Sequence, residues 1–303
     1  MNFKQLETFV WVATLGSFRK TAKKLNTSQP AVSSRIVALE DSLGVELFAR
    51  HAGSFELTPK GVELLPHAQK MLVMADRFRE RACAATSLSG VLRLGVSETI
   101  VHSWLSDFLQ AVHKNFPNVD IELTVDVTAN MRNELINRSL DLAFLMGPIS
   151  EFSIQNIDLC SYELAWVCHP ETDLPEGMVP ITEILSKPVM TYARNTRPFS
   201  EIQALSKEED VDVIRLFPSA SLAACKRMTL DGLGIGMLPL ALVKEDIEQG
   251  ILREISSTWY PSDLDFTASY PREPHNLLAE KIAALAAKTA TDFERTIDKK
   301  SDQ

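Results

Sequence analysis

The sequence has few of the features that mark membrane, secreted or zinc-binding proteins. Its four cysteines show no Cys-x-x-Cys spacing and no matching histidine pattern, which argues against a zinc site. Neither a signal peptide nor an apolar run of transmembrane length is visible, and the chain begins with a charged amphipathic segment. We therefore expect a cytoplasmic protein without a membrane partner or a metal, whose thiols are reduced.

The sequence also lacks the signatures of an enzyme. No candidate nucleophile is accompanied by a base. The glycine-rich run from Gly232 to Gly236 lies between a predicted helix and a predicted strand, which is the reverse of the order in a dinucleotide-binding fingerprint. This run predicts a tight turn, so we expect neither catalysis nor a cofactor.

Positive charge is scarce in the chain as a whole but not in its N-terminal part. The formal net charge is −9, which alone argues against a nucleic acid partner. Residues 1–90, however, carry 12 basic and 8 acidic side chains, a net charge of +4 that leaves −13 for the remainder. A basic N-terminal part joined to an acidic body is typical of a DNA-binding domain with a separate sensor. For Lys20, Lys23 and Lys24 individually, a solvated helix face is an equally good interpretation.

The stretch from Ser17 to Arg50 has the pattern of two short helices joined by a tight turn. Ala22 and Leu25 give the first helix an apolar face, and turn-forming residues follow. Ser28 is placed to cap the second helix, with Pro30 in its first turn, where a missing N–H costs little. The second helix has an apolar stripe at three- and four-residue spacing, formed by Val32, Ile36, Leu39 and Leu43.

The opposite face of this second helix is polar and suits a DNA groove. We expect Gln29, Ser33 and Ser34 to read base edges, and Arg35 to bind phosphate or the groove wall. The alternative is a three-helix packing unit that binds no nucleic acid.

This pattern resembles the helix-turn-helix of LysR-type transcriptional regulators. The resemblance rests on the run AVSSRIVALEDSLGVELFAR, in which Leu-Glu-x-x-Leu-Gly-x-x-Leu-Phe-x-Arg extends from Leu39 to Arg50. It implies a winged helix-turn-helix domain over residues 1–58 that binds an interrupted inverted repeat in double-stranded DNA. It also implies RNA polymerase as a partner if the protein is an activator.

A hairpin is predicted directly after the helix-turn-helix. Phe55 and Leu57 alternate with polar residues and form its return strand, and Ala52-Gly53 forms its turn. By resemblance and by its fixed charge, Arg50 is the wing contact to phosphate or the minor groove. Gly53 stands where many family members have a basic residue, so we expect one phosphate contact fewer. The predicted DNA-binding residues are thus Ser28, Gln29, Ser33, Ser34, Arg35 and Arg50.

One long helix is predicted from Pro59 to about Ser87, within a linker region at 59–90. Pro66 predicts either a kink or the true start of this helix. The resemblance implies an antiparallel dimerisation helix and a homotetramer built from two such dimers, whereas packing on its own domain is the alternative. The apolar seam consists of Leu64, Ala68, Met71, Ala75, Phe78, Ala82 and Ala85.

From Val91 strands and helices alternate, which predicts mostly parallel sheets covered by helices. Two α/β lobes, with chain crossings near 163–169 and 265–271, would enclose a hinged cleft. This half resembles the LysR effector-binding domain and the periplasmic solute-binding fold. The predicted fold is thus an N-terminal all-α winged helix-turn-helix with a linker helix, followed by an α/β two-lobed periplasmic-binding-protein-like effector domain. The predicted bounds are 91–303 for this domain, with lobe I at 91–162 and 270–303 and lobe II at 163–269.

Ligands of such sheets bind at the carboxyl ends of the strands, near helix N-termini. Converging hydroxyls with one arginine suit a small anion, most simply a carboxylate co-inducer. Arg197, on a loop-like segment, is the expected counter-charge. For Ser97, Thr99, Ser219 and Ser221, plain helix capping is equally compatible with the sequence. The predicted effector-binding residues are Ser97, Thr99, Thr128, Asn130, Thr191, Arg197, Ser219 and Ser221.

Two other interpretations remain open at this stage. The chain could be a soluble solute-binding module whose N-terminal helices serve only assembly, which salt-dependent DNA binding would exclude. Cys160 and Cys168 could form a peroxide-sensing pair, as in one branch of the resembled family. The effector, the target genes and the choice between activation and repression are not encoded in any pattern of the sequence.

Overall fold

The computed structural model describes residues 1–51, 54–82, 88–209, 211 and 214–301. Its N-terminal part is helical apart from one hairpin. The predicted cap at Ser28 is confirmed, because its side chain accepts a hydrogen bond from the backbone N–H of Ala31 at 3.4 Å. The elements of this part are α1 (Phe3–Leu15), α2 (Phe18–Lys24), α3 (Gln29–Leu43), β1 (Phe48–His51), β2 (Ser54–Leu57) and α4 (Pro59–Ala82).

The apolar stripe of α3 forms the centre of the helix-turn-helix core. Its first three members are buried, but Leu43 is exposed because α3 ends at Gly44. Gly44 has a φ of 70°, the left-handed conformation that terminates helices and favours glycine. The core of this domain consists of Leu6, Phe9, Val10, Val12, Ala22, Val32, Ile36, Leu39, Leu47, Phe48 and Ala68.

The predicted hairpin is present as an antiparallel pair of β1 and β2, in which His51 lies opposite Ser54. Its predicted turn, Ala52-Gly53, lies outside the described residues. In α4 the helix begins at Pro59 and continues through Pro66, so the prediction that Pro66 marks the true start was wrong. Pro66 is the eighth residue of α4, and its missing N–H removes one backbone hydrogen bond.

The seam of α4 divides into two parts. Leu64 and Ala68 pack against the helix-turn-helix core, which agrees with packing on its own domain. Met71 and Phe78 are exposed, together with Met74. The last seam position, Ala85, and the segment 83–87 lie outside the described residues. Among the described residues, no helix combines the length and apolar character needed to cross a membrane.

Two five-stranded sheets follow, one in each lobe. Lobe I has the strand order β4-β3-β5-β12-β6, and lobe II has the order β11-β7-β10-β8-β9. In each sheet, two strand pairings are parallel and two are antiparallel among the described strands, so the sheets are mixed rather than mostly parallel. The strands of lobe I are β3 (Ser89–Val96), β4 (Asn118–Val125), β5 (Leu142–Met146), β6 (Ile154–Tyr162) and β12 (Leu264–Pro271). Those of lobe II are β7 (Leu164–Cys168), β8 (Pro188–Tyr192), β9 (Arg215–Ser219), β10 (Ile235–Pro239) and β11 (Arg253–Ile255).

The structure corrects the predicted lobe boundaries. All of β12 pairs with β5 and β6, so lobe I resumes at Leu264 and not at 270. The segment 163–169, expected as a crossing, consists largely of β7, which pairs with β10 and β11 in lobe II. The chain therefore crosses between the lobes at Glu163 and within 256–263.

Helices of both lobes pack against the sheets. The helix predicted at 100–115 is divided into two, because Trp104, fully buried against Phe108 and Phe144, lies at the break. The segment that contains Arg197, expected as a loop, begins a helix. The helices are α5 (Glu98–Val101), α6 (Leu105–Asn115), α7 (Thr128–Ile136), α8 (Ile181–Ser186), α9 (Arg197–Glu208), α10 (Leu222–Leu230), α11 (Leu240–Glu248) and α12 (Leu277–Ser301).

Candidate DNA interface and effector cleft

The polar face of α3 is open to solvent. Gln29, Ser33 and Ser34 are exposed, and the four-residue spacing of the first two places them on the same side of the helix. Arg35 is half-buried at the edge of this face. Ser28 is exposed, and its hydroxyl and carbonyl accept hydrogen bonds from the first turn of α3.

Glu40, on α3, contacts the start of the β1–β2 hairpin, which is the wing of this domain. Its carboxylate accepts hydrogen bonds from the backbone N–H groups of Leu47 (2.7 Å) and Phe48 (3.2 Å). Those amides begin the hairpin, so one charged side chain on α3 fixes the wing relative to the exposed helix face. Arg50 lies on β1 opposite Phe55, and its side chain lies outside what the structure describes.

The three lysines near the turn do not share one environment. Lys20 and Lys23 are exposed, as a solvated face requires. Lys24 is different, because its Nζ lies 2.6 Å from a carboxylate oxygen of Asp141 in lobe I. The solvated-face interpretation is therefore wrong for Lys24.

The cleft between the lobes contains a cavity of about 40 Å³. That volume holds roughly three water molecules. Most of the predicted effector residues line it, and sequence reasoning missed two carboxylates and a tyrosine that do so as well. The lining consists of Ser97, Glu98, Thr99, Asp126, Val127, Thr128, Met146, Thr191, Tyr192, Thr196, Ser219, Ala220, Leu222, Cys225, Met237 and Phe266.

Thr191 lies at the end of β8 and has an unusual environment. Its side chain is fully buried, and its hydroxyl has no hydrogen-bond partner among the described residues. Tyr192 follows it, and burial raises the pKa of its hydroxyl, so the group is neutral and can donate. A buried hydroxyl without a partner is costly, which makes Thr191 a candidate ligand contact.

Three predicted hydroxyl groups have assigned local partners. The Thr128 hydroxyl accepts a hydrogen bond from the Met146 backbone N–H (3.1 Å), which leaves its own proton free for a ligand. Ser221 caps α10 by accepting from the Ala224 N–H (3.2 Å), as the capping interpretation predicts. The Ser219 hydroxyl donates to the Ser221 carbonyl and accepts from the Ser221 N–H, so it fixes the turn before α10.

Ser97 and Thr99 flank the first residue of α5 and are both buried. Ser97 stands at the N-cap position, yet its side chain makes no capping hydrogen bond. Capping therefore does not account for Ser97, which is one of the residues that line the cleft.

Three predicted effector residues, Asn130, Arg197 and the cap residue Ser221, are not among those that line the cavity. Asn130 is exposed and donates to Asp126, two residues before the start of its helix α7 (2.9 Å). Arg197 begins α9, so its side chain extends toward Glu201 one turn on (3.7 Å) and donates to the Asp263 carbonyl. The counter-charge expected for a carboxylate ligand is therefore not supplied by Arg197.

Glu98 is the residue that joins the two walls of the cleft. Its carboxylate accepts from the Ser221 hydroxyl (3.1 Å), from the Leu222 backbone N–H and from the Ala223 N–H (3.5 Å). It also lies 3.4 Å from His102 Nε2. Its position between two predicted residues was the only signal in the sequence. Among the described residues, no group of His, Cys, Asp or Glu side chains is arranged to hold a metal.

Comparison with known proteins is consistent across both halves of the chain. Residues 3–62 match the family model described as bacterial regulatory helix-turn-helix protein, lysR family, and residues 85–290 match the LysR substrate binding domain. The chain is 30% identical to the HTH-type transcriptional regulator CzcR of Bacillus anthracis, over 80% of this chain and 82% of that protein. It is 27% identical to GltR of Bacillus subtilis, over 84% of each.

Solved structures share the fold over nearly the full length. Full-length LysG of Corynebacterium glutamicum, with bound effector Arg, has a TM-score of 0.61 at 18% identity and covers 96% of this chain and 99% of its own. A full-length, singly substituted OxyR of Pseudomonas aeruginosa has a TM-score of 0.59 at 23% identity and covers 96% and 94%. These likenesses concern the arrangement of the domains.

Proposed function

This chain belongs to the LysR family of transcriptional regulators, and from that membership we propose how it binds DNA, assembles and responds to a ligand. It is a DNA-binding regulator with a helix-turn-helix domain and an effector-binding domain. We propose that it binds an interrupted inverted repeat as a homodimer or homotetramer, and that a small-molecule co-inducer binds between its lobes. Where it activates, RNA polymerase is its further partner.

DNA reading is assigned to the exposed face of α3. The observation that carries this assignment is the exposure of Gln29, Ser33 and Ser34 beside a domain with a basic excess. Amides and hydroxyls suit base edges in the major groove, whereas Arg35 and Arg50 supply phosphate contacts that do not depend on sequence. Ser28 positions the helix N-terminus, whose dipole favours a phosphate.

Assembly is assigned to the C-terminal half of α4. Met71, Met74 and Phe78 recur at three- and four-residue spacing and are exposed on a helix whose Leu64 and Ala68 pack against the helix-turn-helix core. A second copy of α4 would cover them. A two-fold pair would then hold the recognition helices roughly 34 Å apart, which is one turn of DNA, or a multiple of it.

Effector binding is assigned to the cleft, and the observation that carries it is the unpaired buried hydroxyl of Thr191. Ser97, Thr99 and Thr128 on lobe I face it across a cavity that also contains Tyr192. A ligand that changes the angle between the lobes would change the relative placement of the DNA-binding heads, and so the bending of DNA.

Selection of genomic DNA fragments by the full-length protein tests the regulator against the solute-binding alternative. We expect enrichment of an interrupted inverted repeat, with affinity that falls as salt rises because lysine and arginine release counterions from phosphates. A protein that enriches no sequence at low salt would contradict the DNA-binding assignment. A thermal-shift screen of small carboxylic acids on the same preparation then searches for the co-inducer.

A further inference from the structure

The first turn of α10 in lobe II is already bound by an anion, and that anion belongs to the chain itself. Glu98 on lobe I places its carboxylate on the N–H groups of Leu222 and Ala223 and on the Ser221 hydroxyl. The N–H groups at a helix start have no partner within the helix and carry partial positive charge. A ligand carboxylate would use the same donors.

The size of the cavity shows that the cleft is closed around this contact. About 40 Å³ is far below the roughly 300 Å³ at which small-molecule pockets begin. A ligand larger than a few waters must therefore separate the lobes or take space from a lining side chain. Glu98 is a lining residue whose contacts cross from one lobe to the other.

A second feature of the cavity also favours a polar ligand. Thr191 is fully buried in the lining, and its hydroxyl has no partner among the described residues. Leu222 and Cys225 of α10 line the same cavity, and the Cys225 thiol donates to the Thr191 carbonyl (3.5 Å). Donors for a carboxylate and an unpaired hydroxyl for a second polar group thus line one cavity.

We propose that the Glu98 carboxylate occupies the place of an effector carboxylate, and that the effector binds by replacing it at the N-terminus of α10. This inference rests on the proposed effector cleft and names the chemical class of its ligand. Glu98 keeps a partner when displaced, because His102 lies one turn further along and is more exposed. The internal anion competes with every ligand, so it lowers apparent affinity and selects ligands that carry an anion of their own.

The full-length Glu98→Ala variant with acetate as the probe tests the proposal. The substitution removes one methylene and the carboxyl group, and acetate has nearly the same size and charge. We expect faster hydrogen exchange at the amides of Leu222 and Ala223 and a decrease in Tm of about 2–4 °C. Acetate should restore both in a saturable manner, and acetamide, which has no charge, should not.

Three comparisons make the result decisive. Wild type should not respond to acetate at these amides because its site is filled. Asp126→Ala is the matched control, since Asp126 lines the cleft but its side chain accepts hydrogen bonds only from Val127 and Asn130 among the described residues. It should leave exchange at 222–223 unchanged. Glu98→Gln, which preserves the shape of the side chain, should keep partial protection of the Leu222 and Ala223 amides from exchange. Acetate should not change that protection.

Several results would overturn the proposal. Exchange at 222–223 that is as slow in Glu98→Ala as in wild type would show that the carboxylate does not hold α10. Loss of protection that acetate fails to restore would show that the vacated place is not an anion site. None of these measurements involves DNA, so they remain interpretable if the chain were to enrich no DNA sequence.

Discussion

The ammonium group of Lys24 lies 2.6 Å from the carboxylate of Asp141, which joins the helix-turn-helix domain to lobe I of the same chain. Both side chains are mostly buried, with 14% and 9% of their surface exposed. The second oxygen of Asp141 accepts from the Arg93 N–H (3.1 Å), and the Trp11 ring lies 5.0 Å from the lysine Nζ. Lys24 ends α2, so the contact acts one turn away from the recognition helix.

We therefore predict that Lys24→Met and Asp141→Asn are coupled. Each removes one partner of a buried ion pair and should destabilise the chain, whereas the double variant should lose less than the sum. The expected coupling is about 0.5–3 kcal/mol, measured by denaturant unfolding. Lys23→Met, at an exposed neighbouring position, is the control. Strictly additive losses would show that the contact does not link the domains.

A second prediction concerns the exposed apolar half of α4. Phe78 has 76% of its surface exposed in the single chain, and a partner helix would cover it. Phe78→Glu should therefore dissociate the oligomer and abolish tight binding to a two-site DNA, because each subunit alone contributes too few contacts. Sedimentation velocity measures the first effect. Phe152→Glu, at a residue 94% exposed outside α4, should change neither; an intact oligomer in Phe78→Glu would argue against α4 as the interface.

A third prediction separates base reading from phosphate binding. Ser33→Ala should change the preference among related DNA sites, because a hydroxyl on the exposed face is lost. Arg50→Ala should weaken binding to all sites alike and reduce the slope of log K against log salt by about 1. Titrations on matched and mismatched DNA at several salt concentrations measure both effects. A uniform loss from Ser33→Ala would remove it from the base-reading residues.

The helix-turn-helix could be predicted in detail because its signals are local. Ser28 and the stripe that begins at Val32 act over three or four residues, and the cap and burial follow from that spacing alone. The interaction of Glu40 with the wing is nearly as local, because its partners lie seven and eight residues further along the chain. No periodic pattern in the sequence predicts it, however.

The cleft could be predicted only in part, because its contacts join distant segments. The ends of predicted strands indicated Thr128 and Thr191 as cleft residues. Glu98 could not be found in this way, because its partner Ser221 lies 123 positions away in the sequence. Arg197 was assigned to the cleft from its distance to Thr191 along the chain, whereas the start of α9 directs it elsewhere. For the same reason residues 265–271 were predicted as a crossing between the lobes, although they belong to β12 in the sheet of lobe I.

A fourth prediction concerns the cysteines and their dependence on pH. Burial raises the pKa of Cys160 to about 11 and that of Cys225 to about 11. Both thiols are therefore protonated at pH 8, and only thiolates react readily. Native protein treated with iodoacetamide should carry no label at either position by mass spectrometry, with labelling that increases as the pH approaches 11. Protein unfolded in guanidinium is the positive control, and rapid native labelling at pH 8 would contradict the prediction and favour a redox role.

The last prediction concerns the hydroxyl of Thr191. Valine has nearly the same shape, so Thr191→Val removes a buried hydroxyl without a partner and leaves no cavity. The substitution should stabilise the ligand-free protein by about 1 kcal/mol, which corresponds to an increase in Tm of about 2–4 °C. It should also reduce the thermal shift caused by any effector found in the carboxylate screen, because a ligand contact is lost. DNA binding should be retained. Thr229→Val is the control, since that buried hydroxyl already donates to the Cys225 carbonyl (2.9 Å) and its loss should destabilise. If Thr191→Val lowered Tm as Thr229→Val does, the hydroxyl would have a structural partner, and its assignment to the effector would be wrong.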